Sequence, residues 1–87
     1  MNQDWINQFR EKLDQHYSWP ALYTFKFIVP KGKEDDLKRL FASHHLTEKK
    51  SGKGNFISFT FQMMANSSDR VIEIYQLASD VEGIIAL

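Results

Sequence analysis

Two stretches of the chain alternate apolar and polar side chains with a period of two, and together they constrain the fold more than any other feature. From Ala21 to Val29, Tyr23, Phe25, Phe27 and Val29 fall on one side, and Leu22, Thr24, Lys26 and Ile28 on the other. From Phe56 to Met64, Ile57, Phe59, Phe61 and Met63 share one side, opposite Phe56, Ser58, Thr60, Gln62 and Met64. Successive side chains of a strand point to opposite faces, so each run is a strand with an aromatic face turned toward a core.

The segments around these strands read as helices and turns. From Asp4 to His16, Trp5, Phe9 and Leu13 recur every four residues and Ile6 widens the stripe, while Asn7, Arg10, Glu11 and Asp14 fall elsewhere. That is the pattern of an amphipathic helix. Trp19-Pro20 ends it, because proline disfavours helix at the residue before it. Pro30-Lys31-Gly32 is a turn. A second helix starts near Lys33, with Glu34, Asp35 and Asp36 in the first turn, where the helix dipole favours negative charge. Leu37, Leu40 and Phe41 form its expected buried stripe, with His44 on the same side.

His45 to Lys50 reads as a short polar edge strand whose lysines discourage edge-to-edge pairing. Ser51-Gly52-Lys53-Gly54-Asn55 reads as a turn that joins it to the second aromatic strand in a hairpin. Asn66-Ser67-Ser68-Asp69 offers several N-cap residues for a third helix to about Ser79, with Val71, Ile74, Tyr75 and Ala78 inward. Glu82-Gly83 breaks that helix, and Ile84 to Leu87 forms a last short strand.

The order helix, then β-α-β-β-α-β, predicts an α+β fold: a ferredoxin-like βαββαβ sandwich with a four-stranded antiparallel sheet and an extra N-terminal helix. The helix occupies residues 1–17 and the sandwich residues 18–87. The two helices of the sandwich cover one sheet face. The other face carries Leu22, Thr24, Lys26, Ile28, Phe56, Ser58, Thr60 and Gln62, and is half apolar. Either the N-terminal helix or a partner is expected to cover it.

Composition narrows the function. A chain of 87 residues is one small domain, and without cysteine it has neither disulfides nor thiolate chemistry. A formal net charge of zero argues against general affinity for phosphate backbones or anionic membranes. Charge is uneven, however. Lys31 to Lys53 carries seven basic and four acidic residues, and Gly54 to Leu87 balances Arg70 against Asp69, Glu73, Asp80 and Glu82. Ordinary solvated surface accounts for this unevenness; the sharper reading is a mildly basic edge that could meet an acidic ligand. No apolar run approaches the roughly 18 residues of a membrane span, and the N-terminus lacks the pattern of a secretion signal, so cytoplasmic residence is the expectation.

Candidate chemistry is sparse. His44 and His45 are adjacent, so on a strand they point to opposite faces, and His16 is remote, which leaves no metal-ligand spacing. No nucleophile elbow is present, and helix capping accounts for Glu34-Asp35-Asp36. Acylphosphatases share the architecture, but their phosphate-binding loop carries an arginine, and Pro30-Lys31-Gly32-Lys33 has none. The chain is therefore expected not to be an enzyme, and no cofactor is expected. RNA-recognition motifs also share the element order and stack bases on aromatics of the open face. Gly52-Lys53-Gly54-Asn55-Phe56-Ile57-Ser58-Phe59 lies where their octapeptide would lie, yet Gly52 and Gly54 replace its leading base and first stacking aromatic. Single-stranded RNA is thus the alternative ligand. Within the glycine turn, successive N–H groups can form an anion nest beside Lys53, which makes Ser51, Lys53 and Asn55 candidate ligand-binding residues.

From Trp19 to Leu87 the chain resembles the YbeD-like family of uncharacterised small bacterial proteins. The resemblance rests on Trp19-Pro20, on Tyr23-Thr24-Phe25-Lys26 and above all on Ser51-Gly52-Lys53-Gly54-Asn55-Phe56-Ile57-Ser58. The helix with Val71, Glu73 and Tyr75 and the closing Gly83-Ile84-Ile85 agree. The resemblance implies a ferredoxin-like fold similar to the ACT regulatory domains that bind amino acids, and a loose link to lipoate metabolism. It carries over no catalytic residue. ACT domains bind ligands near the loop after the first strand, which implies a site at Pro30 to Glu34 and adds Lys31 and Gly32 to the candidates. The expected function is a small regulatory or adaptor module that binds a metabolite or a protein partner, with homodimerisation through the open face as one arrangement.

Overall fold

The computed structural model describes residues 2–87. Helix α1 runs Gln3–His16, strand β1 Ala21–Pro30, helix α2 Glu34–Leu40, strand β2 Thr47–Lys50, strand β3 Phe56–Ala65, helix α3 Ser68–Ala78 and strand β4 Ile85–Ala86. The strands form one antiparallel sheet in the order β2-β3-β1-β4. This is the expected α+β arrangement, a ferredoxin-like sandwich preceded by a helix.

The central pair, β1 and β3, stays in register from Ala21↔Ala65 to Pro30↔Phe56. That register places Phe25 opposite Phe61 and Phe27 opposite Phe59 on the helix side, and all four rings are buried. Cross-strand aromatic pairs of this kind contribute up to roughly 1 kcal/mol each beyond alanine. Phe41 lies parallel to Phe27 at 5.8 Å and against Phe61 at 5.0 Å, so the end of α2 closes one flank. Tyr75 of α3 meets Phe25 and Phe27 edge-on at 5.3 and 5.8 Å, which completes an aromatic core under both helices.

Local capping sets the helix limits. Asn2 accepts a hydrogen bond from the Trp5 N–H at 2.8 Å and starts α1. The extended backbone of Tyr17, ahead of Trp19-Pro20, ends it. Ser67 caps α3 by accepting from the Arg70 N–H at 3.3 Å. Helix α1 docks on α3: Ile6 and Leu13 are buried, Phe9 packs on Tyr75 at 5.5 Å, and Arg10 pairs with Asp69 at 2.8 Å. It thereby extends the helical layer and leaves the opposite sheet face uncovered.

Several elements depart from the sequence reading. Leu40 is not part of the α2 stripe: the helix is only seven residues long, and Leu40 turns to the surface beside Asp80 and Val81. The start of α2 near Lys33 agrees with the sequence: Lys33 is its N-cap, and the Lys33 N–H closes a turn onto the Pro30 carbonyl at 3.0 Å. Strand β2 begins at Thr47 rather than His45, since the turn after α2 runs on through a His44 N–H bond to the Phe41 carbonyl at 3.0 Å. Strand β4 shrinks to two residues, as the Ile84 N–H turns back to Val81 at 3.3 Å. Trp5 is about half exposed, with its ring against Phe9 at 5.0 Å. Ile72, absent from the expected α3 stripe, is buried.

Candidate functional site

The uncovered sheet face is organised in cross-strand rows. Lys49 of β2, Ser58 of β3, Ile28 of β1 and Ile85 of β4 stand side by side in one row. The next row toward the middle of the sheet holds Thr47, Thr60 and Lys26. On the other side, Phe56 stands opposite Pro30. Every residue expected to face outward on the two central strands is exposed or only half-buried.

A shallow groove of about 500 Å³ crosses this face, with Ile28, Phe56 and Ile85 as its apolar surface. Phe56 and Ile85 remain 43% and 48% exposed, so the groove is open rather than enclosing. Lys26, Lys49 and Lys50 border it. Among the described residues none of the three has a carboxylate within ion-pair distance, whereas Lys33 pairs with Glu82 and Lys38 with Glu48. The outward positions of the four strands carry no acidic residue. Glu48, the one acid in β2, points to the helix side, where it meets Lys38 at 3.5 Å. The groove is therefore apolar in its middle and cationic at its border.

Ser51 is the one expected ligand-binding residue that lines this groove. It also ties the hairpin turn together. Its N–H donates to the Phe56 carbonyl at 2.9 Å, its Oγ accepts from the Phe56 N–H at 3.3 Å, and its carbonyl accepts from the Gly54 N–H at 3.0 Å. That last bond turns one N–H of the expected anion nest inward. Lys31, Gly32, Lys53 and Asn55 lie outside the groove, on two exposed loops. The structure brings those loops together, with the Lys31 N–H donating to the Asn55 carbonyl at 2.9 Å. The Gly32 N–H is already committed to the Glu34 carboxylate. Bonds from the main-chain N–H groups of Glu34 itself and of Gly32 hold the Glu34 carboxyl below the usual range. The loop after β1 thus supplies its own anion.

Lys49, Lys50, Ile28 and Ile85 were not candidates from the sequence. Their alternation shows which way each points, but only the register aligns them. His44 packs its ring on Phe61 at 4.8 Å, a contact with the core. Among the described residues no group of three or more His, Cys, Asp or Glu side chains is placed to hold a metal ion, and no helix is long and apolar enough to cross a membrane.

Residues 14–87 match the family described as Protein of unknown function (DUF493), which covers most of the chain, and the chain belongs to that family. No curated protein and no solved structure matches it.

Proposed function

We propose that this DUF493 protein is a small regulatory or adaptor module that acts by binding a partner or metabolite on the uncovered sheet face, and that it catalyses no reaction. The observation that carries this reading is the groove itself. A small domain that spends six of its seven phenylalanines on or against the core leaves the seventh, Phe56, exposed beside Ile28 and Ile85. Grouped apolar side chains rimmed by polar ones mark interaction sites. The resemblance to the YbeD-like family and to ACT-type regulatory domains supports the same class of function, although it points to the loop after β1 rather than to the groove.

Single-stranded RNA is the less favoured ligand. Base stacking needs several exposed aromatics on the sheet, and Phe56 is the one on this face among the described residues.

Amide NMR of the full chain tests the reading. Amino acids, small organic acids and fractionated native extract would be added in turn. The expected result is shifts at Lys26–Ile28, Lys49–Gly52, Phe56–Ser58 and Ile85. Shifts confined to Lys31–Asp35 would move the site to the loop after β1. A spectrum unchanged by every addition would overturn the binding reading.

A further inference from the structure

We infer that the groove takes an extended acidic peptide segment of a partner protein, with an apolar side chain seated between two carboxylates. The inference rests on the binding reading above and names the occupant of the same site.

Charge selects the occupant first. Lys26, Lys49 and Lys50 stand around the groove without a carboxylate partner, in a chain whose net charge is zero. Among the described residues Lys12, Lys31 and Lys53 also lack an ion pair, but none of them lines the groove, so Lys26, Lys49 and Lys50 give it a positive border. A second copy docking face to face about a two-fold axis would bring these lysines toward their own images, because such an interface uses the same patch on both chains. Like charges across an interface disfavour that pairing. The complementary partner is anionic.

Shape selects next. A small molecule is normally held in a concavity that buries most of its surface. Here the apolar side chains are about half exposed, and the groove lies across strands rather than beneath a lid. An extended chain matches such a surface, because it makes many shallow contacts in sequence.

Spacing then fixes the pattern. Lys26 and Lys49 lie two strands and one row apart, with Ile28 beside the line that joins them. With strands ~4.8 Å apart and ~3.4 Å per residue, their backbones are ~12 Å apart. Side chains on one side of an extended peptide recur every second residue, so positions i and i+4 are ~13 Å apart. Acidic residues at i and i+4 therefore reach the two lysines, and an apolar residue at i+2 falls over β3 between Ser58 and Thr60, with Ile28 beside it. Lysines on the exposed β2 edge oppose pairing with neutral or basic strands. The same lysines attract an acidic one.

The test uses the full chain, a short blocked peptide of the pattern Glu-Thr-Leu-Thr-Glu, and its Gln-Thr-Leu-Thr-Gln counterpart. Amide NMR with the acidic peptide is expected to shift Lys26, Ile28, Lys49, Ser58 and Thr60, with binding that weakens as salt rises. The glutamine peptide is expected to bind several-fold more weakly, as loss of two solvent-exposed charge pairs implies. The Lys26→Glu, Lys49→Glu double variant is expected to lose the acidic peptide and to gain a Lys-Thr-Leu-Thr-Lys peptide. That gain distinguishes lost recognition from lost folding.

Equal binding of the acidic and glutamine peptides would overturn the inference. So would face shifts produced by raising the protein concentration alone, which would identify a second copy, or by a uridine oligonucleotide but not the peptide. If the peptides leave the face silent while native extract shifts it, the acidic-peptide inference falls and the binding reading stands. If both leave it silent, both fall.

Discussion

Replacing Gly83 by alanine sets local strain against the weakest attachment in the sheet. Gly83 has φ +77°, and a Cβ built on it would lie 2.8 Å from Cγ of Pro30. A left-handed alanine costs ~1–2 kcal/mol, and carbon atoms prefer separations of ~3.5–4.0 Å, so the Pro30 ring adds to the cost. Pro30 cannot swing aside freely, because it ends β1 and is paired with Phe56. Opposing the strain is what holds β4 in place: two residues paired with β1, the Leu87 N–H bond to the Lys26 carbonyl at 3.0 Å, and a half-exposed Ile85. Hydrogen bonds at ~0.5–1.5 kcal/mol net and half the burial of an isoleucine at ~1 kcal/mol give an attachment of ~2–4 kcal/mol. Strain and attachment are comparable, so the expected response of Gly83→Ala is release of β4 while the aromatic core stays folded.

Hydrogen exchange would show this as lost protection of the Leu87 amide with the Phe25, Phe27 and Phe59 amides still protected. The melting temperature would fall by on the order of 10 °C, since the cost is capped near the worth of β4. The control is Gly52→Ala, where a new Cβ meets nothing within 4 Å and no positive φ is required. Its stability is expected to change by no more than ~1 kcal/mol. A Gly83→Ala protein with an unchanged melting point and a fully protected Leu87 amide would refute the reasoning.

The two faces of the sheet should respond differently to truncation. Phe27→Ala, at a fully buried ring, is expected to cost ~3–5 kcal/mol in urea unfolding, whereas Phe56→Ala, on the open face, should cost ~1 kcal/mol or less. Burial, and then the 3.1 Å hydrogen bond to Tyr23, raise the Tyr75 phenol well above its ordinary range. The folded state therefore keeps its proton after the unfolded chain has lost it. Stability contributed by this group is complete below about pH 10 and declines as pH rises beyond it, and Tyr75→Phe should flatten that alkaline limb of the stability profile. Glu34 has the opposite sign. Its lowered carboxyl stabilises the fold above the ordinary glutamate range of about pH 4, and that contribution is lost as pH falls through the folded value. Carboxyl-detected NMR should place its midpoint below the ordinary glutamate range of about pH 4. Asp69→Asn, which breaks an ion pair to Arg10 that is largely exposed on the Asp69 side, should cost less than ~1 kcal/mol in the same unfolding assay.

The parts of the fold that could be read in the chain are those governed by local periodicity. Nine-residue alternation in each central strand identified the buried rings, and the run Asn66-Ser67-Ser68-Asp69 marked the start of α3. What escaped was set by tertiary contact. Leu40 has the same chemistry as Leu37, yet as the last residue of α2 it stays at the surface while Leu37 is buried. Ile72 is buried although it lies outside the stripe of Val71, Ile74, Tyr75 and Ala78. The groove escaped for a related reason. Ile28 and Ile85 are far apart in the chain and meet only through the β1–β4 register, and Lys49 joins them only through the β2–β3 register. The glycine turn and the loop after β1 stood out in the sequence because their residues are contiguous. In the structure their N–H groups are partly turned to Ser51, Asn55 and Glu34.

The central claim is that the partner meets the uncovered sheet face. Site-specific photo-crosslinking in living cells tests it most directly, with p-benzoylphenylalanine placed at Phe56 on that face or at the exposed Gln76 on α3. The account predicts a discrete adduct from position 56 that disappears in the Lys26→Glu, Lys49→Glu background, and none from position 76. Adducts from position 76 alone, or no adduct from position 56, would contradict it.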